Sequence, residues 1–163
     1  MTRVPFARNL FRGTLRLLLV LIALVTIHIV LALVIVKIVR HNKRLRPKIL
    51  KPYNAVILPI AGRRFSPYAL LKHVGRSSGR AYVTPLGAYP FGDGFVLTLT
   101  YGPDVDWCRN IIAAGHASLK WHGHEYALER PEVIPTKTAL HAYPPLLRFA
   151  ATEESQSVWL HRT

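Results

Sequence analysis

No Asp or Glu occurs in the first 92 residues of this 163-residue chain, although sixteen Lys and Arg do, and the net charge is +14. The one cysteine, Cys108, excludes an intrachain disulfide framework and fits a reducing compartment. No Gly-Lys-Ser/Thr follows any glycine-rich turn, which excludes a Walker phosphate loop, and no Gly-x-Gly-x-x-Gly stands between a strand and a helix as a dinucleotide fold requires. No Ala-x-Ala cleavage site follows the long apolar run near the N-terminus, which weighs against a secretory signal peptide. Internal repeats and low-complexity linkers are also missing.

What the first half does hold is an almost unbroken apolar stretch, residues 17–36, interrupted only by Thr26 and His28. At about 1.5 Å per residue in a helix it reaches roughly 30 Å, the hydrocarbon thickness of a bilayer. We read residues 1–46 as a single-pass anchor with basic flanks. Arg3, Arg8, Arg12 and Arg16 precede the span, whereas Lys37, Arg40, Lys43, Arg44, Arg46, Lys48 and Lys51 follow it, so the positive-inside bias expects the following domain on the cytoplasmic face of the cell membrane. His28 is open to two readings, a proton-relay or quinone contact and a neutral imidazole facing a partner helix. Nucleic acid is not an expected partner. The densest basic stretch lies beside the apolar run, where anionic headgroups attract it, and no helix-turn-helix or aromatic RNA-binding pattern accompanies it.

Residues 47–67 read as a linker and interfacial segment, with short helical pieces punctuated by Pro47, Pro52, Pro59 and Pro67, and with Tyr53 and Phe65 suited to a lipid surface. Residues 68–163 are enough for one domain, and its pattern is mainly β with short helices. Strands are expected over 68–74, 81–89, 94–100, 117–121, 125–133 and 157–161, separated by glycine-bearing turns. One helix is expected over 107–114, capped by Asp104 or Asp106 and ended at Gly115 by a left-handed residue. His122-Gly123 reads as a two-residue hairpin turn. That turn and the lack of further ligands make His122 and His124 a poor metal pair, so no metal is expected.

Two segments carry the chemistry. Gly75-Arg76-Ser77-Ser78-Gly79-Arg80 lies between two strands, where its glycines allow successive N–H groups to line one concavity and its arginines and hydroxyls can hold phosphate or carboxylate oxygens. In Tyr101-Gly102-Pro103-Asp104-Val105-Asp106-Trp107-Cys108-Arg109-Asn110, Trp107 and Asn110 share a helix face, so the indole can wall a planar ligand while the amide bonds its edge; the bland alternative is a capped helix with a core tryptophan. Cys108 reads as a buried thiol rather than a nucleophile.

These segments in this order, the first preceded by Leu71-Lys72-His73-Val74, with Thr84-Pro85-Leu86 between them and Ala113-Ala114-Gly115 after them, resemble the deazaflavin (F420)-dependent nitroreductase and F420H2-dependent quinone reductase family. The resemblance runs over residues 70–133. It implies a split β-barrel domain at 68–163, of the flavin-reductase or FMN-binding-like kind, preceded here by one transmembrane helix. It further implies that Gly75, Arg76, Ser77, Ser78, Gly79 and Arg80 hold the phosphate and tail of coenzyme F420. Thr84, Pro85 and Leu86 would lie along the deazaflavin ring, with Trp107 and Asn110 behind them. Ser77 stands where such proteins often have Lys, and Arg80 and Lys72 are the cations placed to compensate. The implied activity is hydride transfer from the reduced coenzyme to a lipophilic acceptor such as a quinone or nitro compound, with Tyr101 as a proton source and Tyr89 and Tyr143 farther off. Expected partners are membrane lipid, that acceptor and a second copy of the chain in a homodimer. The alternative function is a non-catalytic split-barrel module that binds deazaflavin, haem or a lipid at the membrane.

Overall fold

A computed structural model describes residues 4–42 and 44–163, apart from the side chains of residues 4–12, 28, 29, 32, 33, 40 and 41. The chain forms two compact units, Met1–His41 and Asn42–Thr163, so it divides earlier than the change of composition at residue 46 suggests. The first unit is one helix, α1 (Val4–His41). Most of its described apolar side chains stand in the open, Leu17 at 62% and Ile27 at 61% exposure, whereas Val39 is buried. Among the described residues no helix is long and apolar enough to cross a membrane. The span expected over residues 17–36 is therefore not established by the structure. The reading of His28 lies outside the described residues, as do the side chains of Arg3, Arg8, Arg12, Arg40 and Lys43.

The second unit begins with helix α2 (Arg46–Ile57), which takes Pro47 in its first turn, where a missing N–H costs nothing, and buries none of its residues. Seven strands follow: β1 (Ala69–Val74), β2 (Ala81–Leu86), β3 (Ala88–Phe91), β4 (Gly94–Thr98), β5 (His116–Trp121), β6 (His124–Pro135) and β7 (Gln156–Arg162). They make one antiparallel sheet in the order β2-β1-β5-β6-β7-β4-β3.

That order decides the architecture. β2 and β3 are the two edges of the sheet, yet only Gly87 separates them in sequence. The sheet must curl until its edges nearly meet, which makes a half-barrel of the split-barrel kind and leaves little open edge. The strand expected over 81–89 is thus two strands with a corner between them. Glycine fits the corner because a Cβ there would stand 3.0 Å from Thr98 Oγ1 and 3.3 Å from the Tyr89 hydroxyl, while the Gly87 carbonyl accepts from Thr98 N at 3.0 Å.

Inside the curl, alternate residues of the strands converge. Ala69 and Leu71 of β1, Phe95 and Leu97 of β4, Leu119 of β5, Leu128 of β6 and Val158 and Leu160 of β7 form the main core. The helix α3 (Asp106–Ala114) adds Cys108 and Ile111 to it, packing against β1, β5 and β6. Val105, not Asp104 or Asp106, is the cap residue of α3, and no side chain caps it; Gly115 ends the helix in the left-handed region at φ +74°. His122 and Gly123, with φ +49° and +89°, form the expected hairpin turn between β5 and β6. β6 runs on to Pro135 with an irregularity between Glu129 and Glu132, where Arg130 has φ +49°. A 3-10 segment (Thr136–Ala142) and α4 (Pro145–Ala150) were not anticipated.

Candidate functional site

The basic turn is the loop of the β1–β2 hairpin, closed by the Val74–Ala81 pair. Gly75 N donates to Arg80 O at 2.8 Å and Gly79 N to Gly75 O at 2.8 Å, and Gly79 takes φ +64°. At Gly75 the requirement is space, since a Cβ would lie 2.5 Å from Ser78 Oγ and 2.7 Å from the Tyr82 ring. The Arg76 amide donates to Asn110 Oδ1 at 3.2 Å and the Arg80 amide to Ser78 Oγ at 3.4 Å. The expected row of free N–H groups is therefore shortened. Among the described residues only the amides of Ser77 and Ser78 in this turn have no partner.

The two arginines differ. Arg76 turns onto α3, donating to Asn110 Oδ1 at 2.9 Å and pairing with Asp106 Oδ1 at 3.2 Å; Asp106 also holds Arg109 at 3.1 Å. Arg80 is exposed, and its guanidinium has no partner among the described residues. Lys72, expected to compensate for Ser77, is paired instead with Glu125 at 2.6 Å across the sheet. Arg80 is the cation left available for a ligand.

Asn110 ties the turn to α3. It is 5% exposed, its carbonyl oxygen is taken twice by Arg76, and its amide nitrogen lies 3.1 Å from His73 Nδ1. Its oxygen is fully engaged and one of its two N–H groups is taken, so the amide fastens the turn to the helix and keeps one N–H for a ligand edge. His73, not singled out from the sequence, is buried on β1, and its Nε2 lies 3.1 Å from Thr84 Oγ1 on β2. Burial lowers its pKa below the ordinary 6.5, against a smaller opposing effect of Asp106. The signal that could have found it is the strand period: Ala69, Leu71 and His73 all point inward.

Thr84, Pro85 and Leu86 occupy the far end of β2, paired with Leu71, Leu70 and Ala69. Pro85 is tolerated because β2 is an edge strand. Trp107 is half-buried and packs against the main core from the first turn of α3. The turn, β2, His73, Asn110 and Arg76 thus form one connected region.

Tyr101 belongs to a second group. It is half-buried against the core, and its carbonyl accepts from Arg46 Nη2 at 3.3 Å. Burial raises its phenol pKa, with a further contribution from Tyr68. Tyr89 is raised by the same two causes, and Tyr53, raised by burial, has its hydroxyl 3.0 Å from that of Tyr68. Tyr68 is the centre of this phenolic group and was not picked out from the sequence. Tyr143 meets the ring of Tyr89, with centroids 4.9 Å apart, while its hydroxyl lies 2.7 Å from Ser157 Oγ in a second small core, and burial pushes its pKa up to about 12. Cys108 is fully buried, with its thiol pushed up to about 11 by burial, which leaves it inert as a nucleophile. Among the described residues no group of three His, Cys, Asp or Glu could hold a metal ion.

No protein-family model matches the chain, and no curated protein does. Among solved structures it is similar to an F420-H2 dependent reductase, FDR-A, at 18% identity over 58% of this chain and 94% of that one, with a TM-score of 0.45. An F420 reductase matches at 15% identity over 64% and 91%, with a TM-score of 0.43. A heme binding protein from Mycobacterium smegmatis matches at 17% identity over 59% and 46%, with a TM-score of 0.43. Two of the three are F420 reductases.

Proposed function

We propose that this protein is a membrane-anchored oxidoreductase that passes a hydride from reduced coenzyme F420 to a lipophilic acceptor, a quinone or a nitro compound. The observation that carries the reading is the basic turn, which leaves Arg80, the amides of Ser77 and Ser78 and the Ser77 hydroxyl facing outward at one end of β2, the edge strand whose other end carries Thr84-Pro85-Leu86. Such a set fits a phosphate or carboxylate lying next to an apolar ring. The chemistry that a bound reduced deazaflavin supplies is the two-electron hydride.

The protein's own part is to bind and orient. Arg80 and the two serine amides would hold the anionic group, Arg76 keeps the turn against α3, and the half-buried Trp107 would offer apolar surface for a ring. Tyr101, a phenol that holds its proton at neutral pH and whose pKa burial raises further, would act through Oη as a hydrogen-bond donor to an acceptor oxygen that gains charge. Membrane attachment is supported by the exposed apolar side chains of α1 and by Phe65, 90% exposed next to Arg63 and Arg64, in a half-chain without acids. We expect the full-length protein to stay with the membrane through a carbonate wash; release by high salt alone would replace anchoring with an electrostatic attachment.

The direct test is titration of the detergent-solubilised chain with reduced F420, followed by addition of a quinone while deazaflavin absorbance is monitored. Arg80→Ala removes a charge-assisted contact worth about 1.5–3 kcal/mol and is expected to weaken binding roughly tenfold to a hundredfold with an unchanged Tm. Arg76→Ala should weaken binding and also lower Tm, because it removes the guanidinium's bonds to Asn110 and Asp106 and leaves only the backbone amide to hold the turn on α3. Equal affinity in Arg80→Ala and the parent would remove the anion role. Binding without turnover of any acceptor would make the protein a deazaflavin-holding module.

A further inference from the structure

We infer that His73 is a positioning residue: as the neutral Nε2–H tautomer it presents the Thr84 hydroxyl as a donor to the coenzyme and ties that hydroxyl to the basic turn. The inference rests on the F420 reading above and concerns His73, to which no role was given.

The proton assignment follows from one end of the chain of hydrogen bonds. Asn110 Oδ1 faces two donors, the Arg76 amide and Nη1, so it is the acceptor and Nδ2 is the donor. Nδ2 points at His73 Nδ1 at 3.1 Å, so Nδ1 accepts and the ring proton sits on Nε2. Nε2 then donates to Thr84 Oγ1 at 3.1 Å. With its lone pair engaged, the Thr84 hydroxyl keeps its own proton, and no acceptor for that proton occurs among the described residues. Four elements are held by this line: the turn, α3, β1 and β2. Stacking on Tyr82, with centroids 5.8 Å apart and planes at 21°, fixes the plane of the imidazole.

Acid should undo the arrangement. The charged and titratable groups facing His73 are Asp106 on α3, Arg76 in the turn and Tyr82 on β2; β5 places Leu119 and Ser118 opposite Leu71 and Lys72, and neither titrates. A protonated ring carries a hydrogen on Nδ1 that meets the Asn110 amide donor to donor. Relief requires Asn110 to turn over, which takes its oxygen from Arg76. Because the folded-state pKa is lowered, the neutral ring costs no stability above 6.5, and stability is lost as pH falls from 6.5 toward the folded value. Coenzyme affinity should hold through that range and decline only as the pH reaches the folded value, where the native ring itself takes up a proton.

The experiment uses the full chain in detergent. Long-range proton–nitrogen spectra of the imidazoles at pH 7.5, with His73 assigned by its loss in His73→Phe, are expected to show the Nε2–H form. His73→Phe keeps a ring on Tyr82 but neither hydrogen bond; it should speed hydrogen exchange at the Arg76 amide at least tenfold and weaken reduced-F420 binding roughly tenfold. Thr84→Val should weaken binding similarly, with little further loss in the double variant, because the two act as one unit. A charged or Nδ1–H imidazole, or unchanged Arg76 exchange and affinity in His73→Phe, would overturn the inference. Failure of the unaltered protein to bind coenzyme would overturn the functional reading alone, and the tautomer and exchange measurements would still decide whether the relay exists.

Discussion

Removing residues 1–41 is expected to leave turnover of a short-chain, water-soluble quinone nearly intact and to abolish most turnover of a long-chain quinone held in vesicles. A hydrophobic acceptor partitions into lipid, and an enzyme fixed at that surface meets it at an effective concentration that a dissolved enzyme cannot reach. The effect acts on encounter, not on the hydride step. The cut belongs at His41 because the second unit starts at Asn42, and because Arg46 donates to the Tyr101 carbonyl and must be kept. Steady-state rates with the two acceptors, for the full chain and the truncation, make the measurement. Equal losses on both acceptors would mean that the first unit shapes the site, and equal retention on both would remove the anchor from the mechanism.

Much of the β pattern was legible because period-2 alternation and glycine turns are local properties. Strands β1, β4, β5, β6 and β7 and helix α3 fall close to where the residues predict them. The corner at Gly87 was not. Ala81 to Tyr89 reads as one continuous strand, and only the pairing of β2 with β1 and of β3 with β4, at opposite edges, shows that a corner must lie between them. The cap of α3 was missed for a related reason. Asp106 has the right chemistry for a cap but is drawn into the first turn by Arg76 and Arg109, a pairing that involves a residue 30 positions away. The helical turns between Thr136 and Ala150 were hidden by Pro135, Pro144 and Pro145, which read as loop although proline also opens helices.

The candidate site divides along the same line. Left-handed Gly79 and Gly115, and the gathering of Arg76, Asn110 and Thr84 into one region, agree with the spacing of the motif. What each polar atom faces did not follow from spacing. Asn110 reads as a ligand contact until its oxygen is seen to be taken by Arg76 and one of its N–H groups by His73, 37 residues away. Lys72 reads as a spare cation until Glu125 arrives from another strand. Long-range pairing spends groups that look free in one dimension.

Gly94→Ala should be among the most disruptive single substitutions in the second unit, lowering stability by at least about 3 kcal/mol and Tm on the order of 10 °C. Gly94 opens β4 opposite His161 of β7, and a Cβ there would stand 1.9 Å from the Leu160 carbonyl oxygen and 2.8 Å from His161 Cα. Both are backbone atoms, so no rotamer change relieves the clash and the strands must part. The cost reaches beyond one pair. Asp93 binds His161 Nδ1 at 2.8 Å just beside the clash, and Phe95, next along β4, is fully buried between Trp121 and Tyr126. β4 also leads into the loop that carries Tyr101, so loosening it should displace that phenol. Gly79→Ala is the matched control: its φ of +64° disfavours a side chain by roughly 1–2 kcal/mol, but nothing lies within 4 Å of the added Cβ. Thermal unfolding of both variants beside the parent checks the difference, and a Gly94→Ala protein as stable as Gly79→Ala would show that β4 and β7 can separate without loss of the barrel.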